Sequence, residues 1–207
     1  MNKLASFGLM GLATAGIVWG IGCSSKSSSD SSSTNSGVCS LTDNTTETST
    51  VSTYGCPLIT RDTSSCQASR TAQGLSGYWL KFSCRVTLTK SGSNVVITTD
   101  NQPDYKSVYF QTSNGCYAAF SSTVRHANPN VIASKSLSVT VPYAPTAAGS
   151  ATATPEGVIG VALNGVAIYD NSAAPGDDIY EEEYTFDKCD GHPDVSSTYH
   201  YHTEPAT

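Results

Sequence analysis

The run Cys189-Asp190-Gly191-His192-Pro193-Asp194 is followed after four residues by Tyr199-His200-Tyr201-His202, which gathers three of the chain's four histidines near its end. Neutral imidazole is the commonest protein ligand for transition metals. Alternate residues of a β-strand share a face, so His200 and His202 make a pincer if their segment is a strand. The polar stretch 193–198 can fold back as a turn and bring in His192 as a third ligand, with Asp190 or Asp194 adding a carboxylate. Such a nitrogen-rich set suits copper or zinc.

Two other readings fit the same residues. In a zinc hydrolase of cell-wall or other extracellular material, His192, Asp194 and His202 would hold the metal and polarise water, and His200 would move the proton. In a non-catalytic recognition or structural module, Tyr-His-Tyr-His is a strand of a polar-faced sheet, with its imidazoles hydrogen-bonded in a network. His126 stands apart, between Arg125 and Ala127, and reads as an exposed loop histidine.

The elements that must position these residues read as strands. Tyr78, Leu80, Phe82, Cys84, Val86 and Leu88 alternate with Trp79, Lys81, Ser83, Arg85, Thr87 and Thr89, which predicts one half-buried strand over 78–89. Ser91-Gly92-Ser93-Asn94 turns it into a second strand over 95–99. Further strands are predicted over 107–112 and over 137–141, the latter stopped by Pro142. Asn164-Gly165 splits 159–169 into the two arms of a hairpin, because Asn-Gly accepts the positive φ angles of a tight turn. No stretch of the mature chain has sustained amphipathic-helix spacing. The fold class expected is all-β, a disulfide-supported sandwich or distorted jelly-roll with long loops.

The beginning of the chain sets the compartment. Asn2 and Lys3 precede an apolar, small-residue run over 4–21 that ends at Gly22-Cys23. This resembles a bacterial lipoprotein signal, in which residues 1–22 are removed and Cys23 is acylated; a membrane anchor of about twenty residues is the alternative. Residues 23–37 are a lipidated cysteine and a Ser-rich tether too polar to fold. Residues 38–94 form a Cys-rich lead-in with the first strands, 95–207 the part carrying the histidines, and 38–207 one folded unit. The expected location is the cell envelope, lipid-anchored and extracytoplasmic at the outer membrane or cell surface. The membrane is then a partner through the lipid; no protein or small-molecule partner is named by the residues.

Seven cysteines agree with an oxidising compartment. Setting Cys23 aside leaves Cys39, Cys56, Cys66, Cys84, Cys116 and Cys189 as disulfide candidates, in more pairings than a sequence can choose among. Cys189, beside the histidines, reads as a disulfide or as a thiolate ligand. Net charge is −6 with eleven Lys and Arg and no basic cluster, which excludes a nucleic-acid binder. The acidity concentrates in Asp177, Asp178, Glu181, Glu182, Glu183, Asp187 and Asp190, a solvated loop or, over 177–187, a set of oxygen ligands for Ca²⁺.

In order and spacing, 157–169, then Asp187-Lys188-Cys189-Asp190-Gly191-His192, then Tyr199-His200-Tyr201-His202 resemble the YHYH-domain family. Asn128-Pro129-Asn130-Val131-Ile132, Val139-Thr140-Val141-Pro142 and Asn101-Gln102-Pro103-Asp104-Tyr105-Lys106-Ser107 extend the resemblance over about 95–205. It implies extracytoplasmic proteins of undetermined biochemical activity. Family members often carry His where this chain has Tyr105, which implies one imidazole fewer if that position is a ligand.

Overall fold

Strand-forming residues gather into three small sheets tied by three disulfides in the computed structural model, which describes residues 37–174 and 178–203. The expected signal, Cys23 and the tether up to residue 36 lie outside the described residues. Among the described residues no helix is long and apolar enough to cross a membrane. The fold is all-β, with two short helices and short 3-10 turns among the described residues.

The lead-in folds into a hairpin, β1 (Thr45–Thr50) antiparallel to β2 (Pro57–Arg61). Nearly every β1 side chain is exposed. It therefore carries no apolar alternation to reveal it in the sequence. The helix α1 (Gln67–Ala72) follows, and its Arg70 is buried.

That arginine explains the largest departure from the sequence reading. The predicted strand over 78–89 is instead a 3-10 turn (Gly77–Lys81), an irregular stretch, and only then β3 (Thr87–Ser91). The Arg70 guanidinium donates to the carbonyls of Phe82 at 2.5 Å, Ser83 at 2.9 Å and Val86 at 2.7 Å, so these groups bond to a side chain rather than to a strand. The Cys66–Cys84 disulfide holds the same segment against α1. Trp79 is buried and stacks near Phe82 and Tyr143, while Tyr78 is exposed.

β3 pairs with β4 (Asn94–Thr99), and β4 with β5 (Leu137–Pro142), all antiparallel. Their inward residues Leu88, Val95 and Ile97 join Leu75, Trp79, Phe82 and Val86 in one apolar cluster. No strand forms over 107–112; Ser107 makes a single bridge to Tyr117. The alternation there marks side chains sent into a polar core: Ser107 and Tyr109 are buried, with their hydroxyls on Asp187 and on the Thr185 carbonyl.

The third sheet carries the histidines. β6 (Val158–Val161) and β7 (Ala167–Tyr169) form the expected hairpin around Asn164-Gly165. Gly165 has φ +94°, and a Cβ there would press on Thr99 and Val86. β7 then runs parallel to β9 (Tyr199–Tyr201), which is antiparallel to β8 (Gly191–Pro193). The parallel seam is closed by the buried Asn101, whose amide donates to the Tyr199 carbonyl at 2.8 Å and whose carbonyl accepts from the Ala167 N–H at 2.7 Å.

The disulfides pair Cys39 with Cys116, Cys56 with Cys189 and Cys66 with Cys84. Cys189 is therefore a disulfide and not a thiolate ligand. Through the first two bridges the lead-in shares a core with Tyr105, Tyr109, Tyr199 and Tyr201.

Candidate metal centre

The two faces of β9 have different chemistry because its side chains alternate. Tyr199 and Tyr201 are fully buried on one side, and Tyr105 joins them there with its hydroxyl 2.8 Å and 2.9 Å from theirs. Tyr199 donates on to Asp187 at 2.7 Å. The Asp187 carboxylate also accepts from the Ser107 hydroxyl and from the N–H groups of Cys189 and Gly191. Burial pushes the Asp187 carboxyl upward, and these donors oppose that shift. Gly191 permits the close approach, since a Cβ there would overlap the Tyr199 ring. Position 105 thus belongs to the phenol face, and a tyrosine there takes no ligand from the imidazoles.

The opposite face holds the histidines. Register pairs His192 of β8 directly with His200 of β9, and His202 follows two residues on. The loop between β8 and β9 is fixed by Asp194, whose Oδ1 accepts from the N–H groups of Ser196 at 2.7 Å and Thr198 at 2.9 Å. Nε2 of His200 lies 3.1 Å from Nε2 of His192 and 3.1 Å from Nε2 of His202. Tyr169 stacks on His200 with 3.9 Å between centroids, and Phe186 meets His192 in a T-shaped contact with 4.9 Å between centroids.

The outer nitrogens determine what those Nε2 atoms carry. His200 Nδ1 is 2.9 Å from the Thr198 carbonyl and His202 Nδ1 is 2.6 Å from the Asp170 carbonyl, and a carbonyl can only accept. His192 Nδ1 is 2.6 Å from the Thr185 hydroxyl, which spends its own proton on the Glu182 carbonyl at 2.8 Å. In their neutral form all three imidazoles are therefore assigned as Nδ1–H tautomers with Nε2 lone pairs converging. Burial first, and the neighbouring imidazoles next, bring His192 down to about 2. Burial brings His200 down to about 4, so a shared proton is disfavoured as the bridge between them. The three residues are arranged so that they could hold a metal ion, with all donor atoms within 4.8 Å of one another.

Residues 138–207 match the YHYH protein family. The matched region lies at the C-terminal end of the resemblance noted over about 95–205, and it contains both faces of the YHYH strand. No curated protein and no solved structure matches the chain.

The geometry also redistributes the carboxylates around the YHYH strand. Asp190, expected beside the imidazoles, turns away: its Oδ1 is 2.7 Å from Nη1 of the buried Arg125. Asp194 closes its turn, so the His192, Asp194 and His202 triad of the hydrolase reading is not formed, and His200 sits between the other imidazoles rather than apart as a base. The acidic stretch makes no common oxygen cage among its described members. Asp187 enters the core, Asp178 caps α2 (Ile179–Glu182), Glu183 faces Arg125 and Glu182 faces the imidazoles; Asp177 lies outside the described residues. His126 is exposed. Sequence reasoning missed Thr185 and Glu182 as neighbours of the site. The only signal for Glu182 was its place in an acidic block that offered seven equivalent candidates.

Thr185→Val is expected to release His192 into a mixture of tautomers, visible in the nitrogen chemical shifts of its ring. Where the three imidazoles hold a metal, its affinity should fall about 10–100-fold, the usual effect of losing the partner that orients a ligating histidine.

Proposed function

We infer that the chain is an extracytoplasmic metal-binding protein that holds copper or zinc on Nε2 of His192, His200 and His202, anchored to the cell envelope through Cys23. One observation carries the reading. Three Nε2 lone pairs stand 3.1 Å apart in succession while every Nδ1 is committed to an acceptor. Lone pairs at that spacing repel unless a cation lies between them. An ion about 2.0–2.1 Å from each of two such nitrogens sees them at about 100°, within reach of a tetrahedral or tetragonal site. The envelope location is supported by the apolar run ending at Cys23, the Ser-rich tether and the three disulfides.

The test is elemental analysis of the purified protein, followed by melting with and without Zn²⁺ or Cu²⁺. One equivalent of metal is expected, with stabilisation of about 2.7 kcal/mol at a free concentration a hundred times Kd. A protein that keeps no metal and whose melting is indifferent to both ions overturns the reading in favour of a recognition module.

The metal-free protein has its own pH signature. His192 and His200 titrate lower when folded than when unfolded, so the unfolded chain binds more protons as pH falls below 6.5. Their contribution to stability is fully present above pH 6.5 and is lost progressively toward about pH 4 and below. Melting in chelator across that range should show the decline, and a His192→Gln/His200→Gln protein should show a flatter one.

A further inference from the structure

Glu182 ends α2, and the turn that follows delivers Thr185 to His192. Its neighbours are accounted for elsewhere: Glu181 is exposed and Glu183 lies 3.7 Å from Arg125. Glu182 Oε2 lies 3.4 Å from Nε2 of His202 and 3.9 Å from Nε2 of His192, with the side chain only 20% exposed. Those two nitrogens carry lone pairs, because their Nδ1 atoms hold the ring protons. A carboxylate oxygen and two imidazole lone pairs have no mutual attraction.

The spacing fits a shared cation instead. Donors on a tetrahedral ion with bonds of about 2.0–2.1 Å are separated by about 3.3–3.4 Å. Four of the six separations among these donors, 3.1, 3.1, 3.4 and 3.9 Å, bracket that value, and the imidazole donors, spread over as much as 4.8 Å, would draw together on an ion.

We propose that Glu182 is the fourth donor to the ion held by His192, His200 and His202, which makes a metal site closed by protein ligands. The proposal rests on the metal-binding reading above. It assigns the site the work of holding an ion rather than activating water, because a hydrolytic zinc keeps one position open. The surroundings agree. A cavity of about 440 Å³ reaches His192, His200, His202 and Glu182, and among the described residues its walls contain no Lys or Arg to hold an anionic substrate. It is an entrance suited to a cation.

The experiment is a Co²⁺ titration followed by its visible ligand-field absorption, on the wild-type protein and on Glu182→Gln, Glu182→Ala and, as a control, Glu181→Gln. The wild type and the control should give the strong absorption of four-coordinate Co²⁺. Both Glu182 variants should bind at least about tenfold more weakly, with the weaker absorption of an ion that has taken up water. Melting of the metal-free Glu182→Gln protein should match the wild type, since the amide keeps the size of the largely buried side chain. Wild-type affinity and an unchanged spectrum in Glu182→Ala overturn the proposal while leaving the three-histidine site standing. No binding of Co²⁺, Zn²⁺ or Cu²⁺ by the wild type overturns both.

Discussion

His200→Ala is expected to lower affinity for Zn²⁺ or Cu²⁺ by about a hundredfold or more, beyond what loss of an orienting partner costs. The reason is the position of its Nε2, 3.1 Å from each of the other two and the central member of the three. Without it, His192 and His202 are left on β8 and beyond the end of β9 with the middle donor removed. Equilibrium dialysis against either metal reads the effect. The His200→Ala/His202→Ala protein is the sterner case, and stoichiometric metal retained by that double variant sinks the assignment of these residues as ligands. The metal-free single variant should remain folded, because the imidazole it loses stacks on Tyr169 at the cavity wall rather than inside the apolar clusters.

Asp187→Ala acts on the other face of the same strand and is expected to cost about 3–5 kcal/mol of folding stability. The carboxylate is buried and accepts from Ser107, Tyr199, Cys189 and Gly191, so truncation leaves several buried donors without a partner at once. A loss of that size is a large part of the stability of an ordinary domain. Urea unfolding should show a lower midpoint with an unchanged slope. Asp187→Asn, which keeps the shape but exchanges an acceptor for a donor, should fall between the two. Unaltered unfolding in Asp187→Ala would show that water replaces the lost oxygen atoms.

The meeting of the three imidazoles was legible because it depends on local rules. Strand alternation puts His200 and His202 on one side, and a polar turn of the length of 193–198 returns His192 to them. The all-β class and the hairpin at Asn164-Gly165 were legible for the same reason. What failed was long-range. Asp190 seemed a ligand by proximity in sequence, but Arg125, far upstream, claims its carboxylate. The apparent strand over 78–89 was disrupted by a guanidinium from α1 and a disulfide to Cys66. Tyr105 read as a missing imidazole because nothing in the sequence says that its segment packs behind β9. Glu182 was invisible for a different reason: within a block of seven acids, charge alone gives no way to choose among them.

The two-sided strand Tyr199–Tyr201 makes its residues an indivisible unit under insertion and deletion. Loss of one residue inside the tetrad would rotate phenols into the imidazole cavity and an imidazole against Asp187. Packing on one side and the convergence of imidazoles on the other would fail together, whereas point substitutions such as His200→Ala and Asp187→Ala each damage one side. The tetrad is therefore a two-way key: any reading frame of side chains that satisfies one lock also satisfies the other, and no intermediate setting satisfies either.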